Sequence, residues 1–387
     1  MRILPVLVLA ACSSGPGTAM GPDHGPPVGC QMPGGGSTAM PAGAPALVPG
    51  TWTNINPADV NFHGGGGDVF TQGITLDPCQ AGTLYLSVSS FDVQNGKPGI
   101  YKSVDGGSSW KLSGALDEPI HVRVNPKDPQ NLVAVDGVRG GTQGFWVSHD
   151  GGASWVVPDG FAALKTQLFQ VDCYDVAVDP ADFNHNLVTS HSPWNGYNSP
   201  FNASWDGDSG ILETKDGGAT WSLHGPIKGW SHGNGVWFLG NSSTWLFGSQ
   251  DGGFWRTSDG GNNFTQVVKD NNMQHGGGGL YKSASGVLYA AGTPHLMRSA
   301  DDGVTWDATL GPYAGFNSVI GDGTHLYTAP VFGPKLLVAD EADGANWTEY
   351  PAAPMLGSGP FEMAYDGANH IVYAGMWSSG VWALKVE

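Results

Sequence analysis

The chain has 387 residues, with 61 Gly and 27 Pro, and its 34 Asp and Glu outnumber 16 Lys and Arg for a net charge of −18. So acidic a protein repels a phosphate backbone at long range, which excludes nucleic acid as a partner, and the Gly and Pro content without a long amphipathic stretch excludes a helical protein. Length alone fits one large all-β domain or two ordinary ones, and the repeats decide between them.

Met1 and Arg2 precede an apolar run from Ile3 to Ala11, the make-up of an export signal and too short to span a bilayer. It ends in Leu9-Ala10-Ala11-Cys12, which resembles the bacterial lipobox. That resemblance implies cleavage after a signal peptide of residues 1–11 and lipidation of Cys12, and Ser13 in place of an Asp implies the outer membrane or cell surface of a bacterial envelope. Residues 12–50 are rich in Gly, Pro, Ser and Ala and cannot offset their ordering entropy by burial, so they read as a flexible linker, with membrane contact through the lipid alone. In an oxidising compartment Cys30 and Cys79 are the expected disulfide. Cys79 follows Asp77-Pro78 at the end of one strand, whereas Cys173 precedes the start of an equivalent strand on the opposite face and reads as a buried free thiol.

From residue 51 onward an octet recurs, with an Asp, one or two Gly and an aromatic five positions after the Asp. The copies are 103–110 (Asp105, Trp110), 148–155 (Asp150, Trp155), 214–221 (Asp216, Trp221), 257–264 (Asp259, Phe264) and 299–306 (Asp301, Trp306), with a degenerate sixth at Asp343, Gly344 and Trp347. The pattern suits a tight hairpin in which the carboxylate accepts backbone N–H groups and glycine supplies positive φ. It resembles the Asp-box, or BNR repeat, of sialidases, xyloglucan-active glycosidases, sortilin-type receptors and photosystem assembly factors. The resemblance implies a turn between the third and fourth strands of a propeller blade, on the face opposite the usual ligand pocket, so these aspartates are expected to be structural.

Between the octets run apolar strands closed by an Asp or Asn turn: 73–78, 121–126 and 175–180, with weaker equivalents at 236–239, 279–282, 318–322 and 362–366. Seven such innermost strands predict a single seven-bladed β-propeller over residues 51–387. The last run, 380–387, reads as a third strand without a fourth, and residues 51–55, whose Trp52 matches the octet aromatic, are expected to complete that blade and close the ring.

In this topology the loops entering each innermost strand, and those joining second and third strands, surround an axial funnel. They would gather His63, His121, Asp172, Asp175, His232, His275, Asn317 and Glu362. The long connection 189–212 adds His191, Trp194, Tyr197, Phe201, Trp205, Asp206 and Asp208, flat aromatic faces beside polar groups that suit a sugar ring. Three chemistries could use the funnel. A glycoside hydrolase needs two carboxyl groups, for which Asp172, Asp175, Glu362 and Asp68 are available; a polysaccharide lyase needs a base such as His near a neutralised uronate, with Arg123 at hand; and the imidazoles with a carboxylate could hold a divalent metal. The candidate catalytic residues are His121, Asp175, His232 and Glu362, with His63, Arg123, Asp172, His191, Trp194, Tyr197, Trp205, His275 and Asn317 for substrate.

The Asp-box resemblance does not extend to sialidase chemistry, because the three arginines and the Phe-Arg-Ile-Pro-like motif of sialidases have no counterpart, and the xyloglucan-active enzymes usually carry two propellers where this chain has room for one. Gly229-Trp230-Ser231-His232-Gly233 matches a nucleophile elbow, but that motif needs a strand-to-helix turn, which an all-β blade does not supply. The expectation is thus a surface protein, monomeric, that binds and cleaves a polysaccharide or oligosaccharide; the alternative is a non-catalytic receptor, scaffold or assembly factor using the same face for a protein partner.

Overall fold

The octets fold as the hairpins their composition dictates. Asp150 accepts the Ser154 N–H at 2.8 Å and the Ser154 hydroxyl at 2.6 Å, while Ser148 Oγ accepts the Gly152 N–H at 2.9 Å. Gly151 and Gly152 take φ of +67° and +85°, a region that a Cβ disfavours. Asp105, Asp216, Asp259 and Asp301 accept the same pair of bonds from the residue four positions on. These donors, led by the side chain at that position, hold the carboxyls of Asp150, Asp259 and Asp301 down at about 2. The degenerate sixth turn keeps the aromatic half of the device, Trp347 Nε1 donating to the Gly344 carbonyl at 2.7 Å as Trp221 does to Gly218 at 3.0 Å.

These turns recur around a ring of seven antiparallel sheets, each following the last in chain order. The structure, a computed structural model, describes residues 19–20, 29–62, 69–90, 92, 96–137, 141–165, 172–191, 209–225, 227, 229–230, 232–273, 279–331, 333, 335–350 and 360–386. The innermost strands of blades one to seven are Val69–Leu76, Pro119–Val124, Cys173–Val178, Gly233–Phe238, Leu280–Lys282, Phe316–Gly321 and Pro360–Asp366. Blade seven closes the ring: its third strand, Gly380–Lys385, pairs with Trp52–Asn54, in the register Trp52 to Leu384 and Asn54 to Trp382. Ala19–Met20 pairs with the free edge of the same blade at Tyr365 and Asp366.

Apolar side chains that no single sheet could cover are buried between neighbours. Val69, Ile74 and Tyr101 of blade one pack with Tyr373 and Val381 of blade seven; Phe145 of blade two packs with Val176 and Leu212 of blade three; Val236 and Trp245 of blade four pack with Leu187 and Ile211 of blade three. Burial of this kind stabilises by about 25 cal/mol per Å² of apolar surface, and it is available only when the ring is complete.

Two segments depart from the sequence reading. After Trp155 blade two makes a single bridge, Val147 to Val156, instead of a full fourth strand, and the chain turns into a short helix, Asp159–Lys165. Phe161 is fully buried there, its ring 5.1 Å from that of Trp221, so apolar packing replaces the missing strand pairing. The stretch expected to be a flexible linker up to residue 50 lies against the propeller from residue 29 onward. Cys30 is bonded to Cys79, the Ser37 N–H donates to the Cys79 carbonyl at 2.8 Å, and the Gly50 N–H donates to the Lys385 carbonyl at 2.8 Å. A composition poor in apolar residues does not fold alone, but a covalent link and backbone hydrogen bonds to a preformed surface order it. Cys173 is a buried free thiol.

Candidate functional site

Each innermost strand presents one residue to the ring axis at the same level: Gly73, His121, Asp175, Gly235, Gly279, Ser318 and Glu362, set by the register with the second strands. In all but the fifth blade the pairing slips by a residue near this level, a β-bulge that turns side chains towards the funnel end. Glycine and serine at four positions leave room for the three long side chains. A Cβ on Gly73 would lie 3.2 Å from the His121 ring and 2.6 Å from the Ile120 carbonyl oxygen.

His121, Arg123, Asp175 and Glu362 form one ionic network in that space. His121 Nδ1 is 2.9 Å from Asp175 Oδ1 and its Nε2 is 3.9 Å from Glu362, while Arg123 donates to Asp175 at 2.8 Å. Asp175 also accepts the N–H of Val176 at 2.8 Å and of Val236, in the next blade, at 3.1 Å. Burial lowers the proton affinity of His121, but Asp175 and then Glu362 outweigh it and carry its pKa up to about 9, against the opposing charge of Arg123. The imidazolium lies between two carboxylates, all three with side chains no more than 7% exposed. In this arrangement they tie blades two, three and seven together across the axis.

A second group opens to solvent on the rim of blades three and four. Asp172 Oδ2 is 3.4 Å from His191 Nδ1, and Asp251 Oδ2 is 2.6 Å from His232 Nδ1. The two imidazoles are 5.0 Å apart, His191 is stacked at 4.5 Å on Tyr174, and Gln250 Oε1 is 3.2 Å from His191 Nε2. With Nδ1 engaged by Asp251, His232 is left to use Nε2 as a proton donor or acceptor, while His191 is held at both ring nitrogens, by Asp172 and Gln250. His232 takes a φ of +49°, a conformation that costs a non-glycine residue energy and concentrates at functional positions. Its side chain is 37% exposed. Asp251, Gln250 and Tyr174 escaped the sequence reading. The signal was present, since 250–252 joins the second and third strands of blade four on the funnel face, but a three-residue connection does not draw attention as the long blade-three loop does.

Of the remaining residues singled out in the sequence, Asn317 is buried at the bulge between blades six and seven, with its amide nitrogen 3.4 Å from the Pro360 carbonyl. His63, Trp194, Tyr197, Trp205, His275 and Cys12 lie outside the described residues. Also unforeseen was Asp136, which burial pushes well above the usual carboxylate range near Asp117 and Asp172. Among the described residues no three His, Cys, Asp or Glu side chains come together as a metal-binding group. The Gly229-to-Gly233 segment leads into the strand Gly233–Phe238, as an all-β blade requires, so no helix follows for a nucleophile elbow.

No family model and no curated protein matches the sequence. Solved structures match the fold. The GH74 xyloglucanase of Xanthomonas campestris superposes with a TM-score of 0.61 at 16% identity, over 87% of this chain and 54% of that enzyme, and an ancestral GH74 enzyme with a TM-score of 0.54 at 18% identity over 86% and 47%. YCF48 bound to D1 peptide superposes with a TM-score of 0.57 at 13% identity, over 90% of this chain and all of YCF48. The chain thus spans about half the length of the GH74 enzymes and shares with all of these a β-propeller fold.

Proposed function

We propose that this is an exported, lipid-anchored Asp-box propeller of the bacterial envelope that binds a glycan on the funnel rim of blades three and four and cleaves it by acid–base chemistry at His232. One observation carries the reading: two carboxylate-backed imidazoles face each other at the surface, on a strained backbone, beside an aromatic stack. Asp175 is held by His121 and Arg123, and Glu362 faces the same imidazole, so the chemistry is assigned to the histidine pair and not to a carboxylate pair. A base next to a hexuronate C5 proton would drive β-elimination: the proton passes to His232 Nε2, the C5–H electron pair forms the C4=C5 double bond as the C4–O bond breaks, and the departing oxygen takes a proton from water, leaving an unsaturated uronate. The Xanthomonas campestris neighbour is a xyloglucanase, which agrees with the ligand class and not with the reaction.

Purified protein incubated with uronate-containing and neutral polysaccharides tests this by absorbance of unsaturated products and by reducing ends. Unsaturated products from the uronate polymers are expected, with loss of at least about 100-fold in His232→Ala, the usual contribution of a general base, and partial loss in Asp251→Asn. Absence of turnover and binding across the panel removes the proposal. A second reading, a non-catalytic receptor for a peptide or protein, draws on the full-length match to YCF48 and its bound peptide; peptide binding without turnover would establish it.

A further inference from the structure

The N-terminal segment meets the propeller on one face. Gln31 donates to the Pro126 carbonyl, Cys30 is bonded to Cys79, Asn369 donates to the Thr38 carbonyl, and Ser108 donates to Gly43, all at turns between first and second or third and fourth strands. Ala19–Met20 reaches the same end of the blades, pairing with the last residues of an innermost strand. Six residues separate Ala19 from Cys12, a span of at most about 25 Å when fully extended.

The exposed apolar side chains have the same polarity. Among the described residues the large hydrophobics most open to solvent are Met32, Val48, Val104, Leu112, Val156 and Val304. Met32 and Val48 lie on the N-terminal segment, Val104 and Val304 in Asp turns, and Leu112 and Val156 just beyond such turns. None lies on the funnel rim. Single exposed apolar residues are ordinary, but the collection of Met32, Val48, Val104 and Val304 on the face from which the chain departs is what a surface resting on lipid would show.

We infer that the Asp-turn face is the membrane-facing surface of this protein, and that the short attachment from Cys12 keeps it against the bilayer with the funnel rim directed outward. The inference rests on the lipid-anchor reading above and on no assumption about catalysis. The acidic charge of the chain selects a zwitterionic bilayer over an anionic one, since like charges would hold the Asp turns off the surface. The rim lies farther from lipid by roughly the length of a strand, about 20 Å for six residues.

The full lipidated protein, extracted in detergent and reconstituted into phosphatidylcholine vesicles with a head-group nitroxide lipid, provides the test. Fluorophores are attached at Val104→Cys, at Val304→Cys on the far side of the ring, and at Ala314→Cys on the funnel side of blade five. Quenching several-fold stronger at both Asp-turn positions than at 314 is the expected result. Equal quenching, or stronger quenching at 314, overturns the orientation while vesicle flotation still reports an anchored protein. Intact mass reads the anchor separately: a chain without lipid on Cys12 removes the anchor reading and this inference with it.

Discussion

Raising the pH should withdraw the contribution of His121 to stability. Its folded pKa of about 9 stands above the 6.5 of a free imidazole, so protonated His121 stabilises the fold fully below pH 6.5, and that stabilisation is lost as pH climbs through 9. The gap corresponds to on the order of 3 kcal/mol. Urea unfolding of the parent and of His121→Gln between pH 6 and 9.5 isolates the term, because other titrations are common to both proteins. The stability difference between them should shrink by about that amount across the range, and a histidine resonance should titrate near 9 in the parent. Parallel stability curves, together with all histidine resonances titrating near 6.5, would refute the ion network as described; the resonance test stands even if the variant fails to fold.

Glu213 accepts His185 at 2.8 Å and His224 at 2.9 Å, and these bonds overcome burial to depress its carboxyl, while the two carboxylates beside His185 overcome burial to raise that imidazole. The Glu213 term is lost as pH falls below 4.5 and the His185 term as pH rises above 6.5, so the penalty of Glu213→Gln in denaturant melts, about 3 kcal/mol, should be largest between those values. Gly73→Ala places a Cβ against the Ile120 carbonyl, which cannot move without its blade, and should lower stability by about 1–3 kcal/mol in the same assay. Trp230, fully buried and stacked at 4.1 Å on Phe247, should cost about 3–5 kcal/mol when replaced by Ala, measured by thermal unfolding. Cys30→Ser opens a link between residues 49 apart, worth at most about 4 kcal/mol, and should expose residues 29–50 to protease while the blades resist.

The blades were legible because their turns are encoded locally: an Asp, its glycines and an aromatic within eight residues specify a hairpin wherever they occur, and the closing strand at Trp52 carries the same aromatic. The helix Asp159–Lys165 was not, because seven residues offer too little periodicity, and Phe161 is fixed by Trp221 across a blade boundary. In the funnel, His121, Asp175 and Glu362 meet because they stand at a common level on innermost strands, a placement that topology alone supplies. Topology could not say that glycines at neighbouring positions would let them collapse on one another and out of water. Asp251 shows the converse: a residue given its place by one short connection, invisible until His232 is beside it.

Blade seven draws its outer strand from Trp52–Asn54 and the rest from residues 360–385. During synthesis the earliest of these strands must therefore wait, unpaired, for the last to be made. Until then the chain is an open string of blades, and the ring locks only when the last strand meets Trp52–Asn54. A truncation that removes Gly380–Lys385 would leave six blades made, the seventh short of a strand and the circle unsealed.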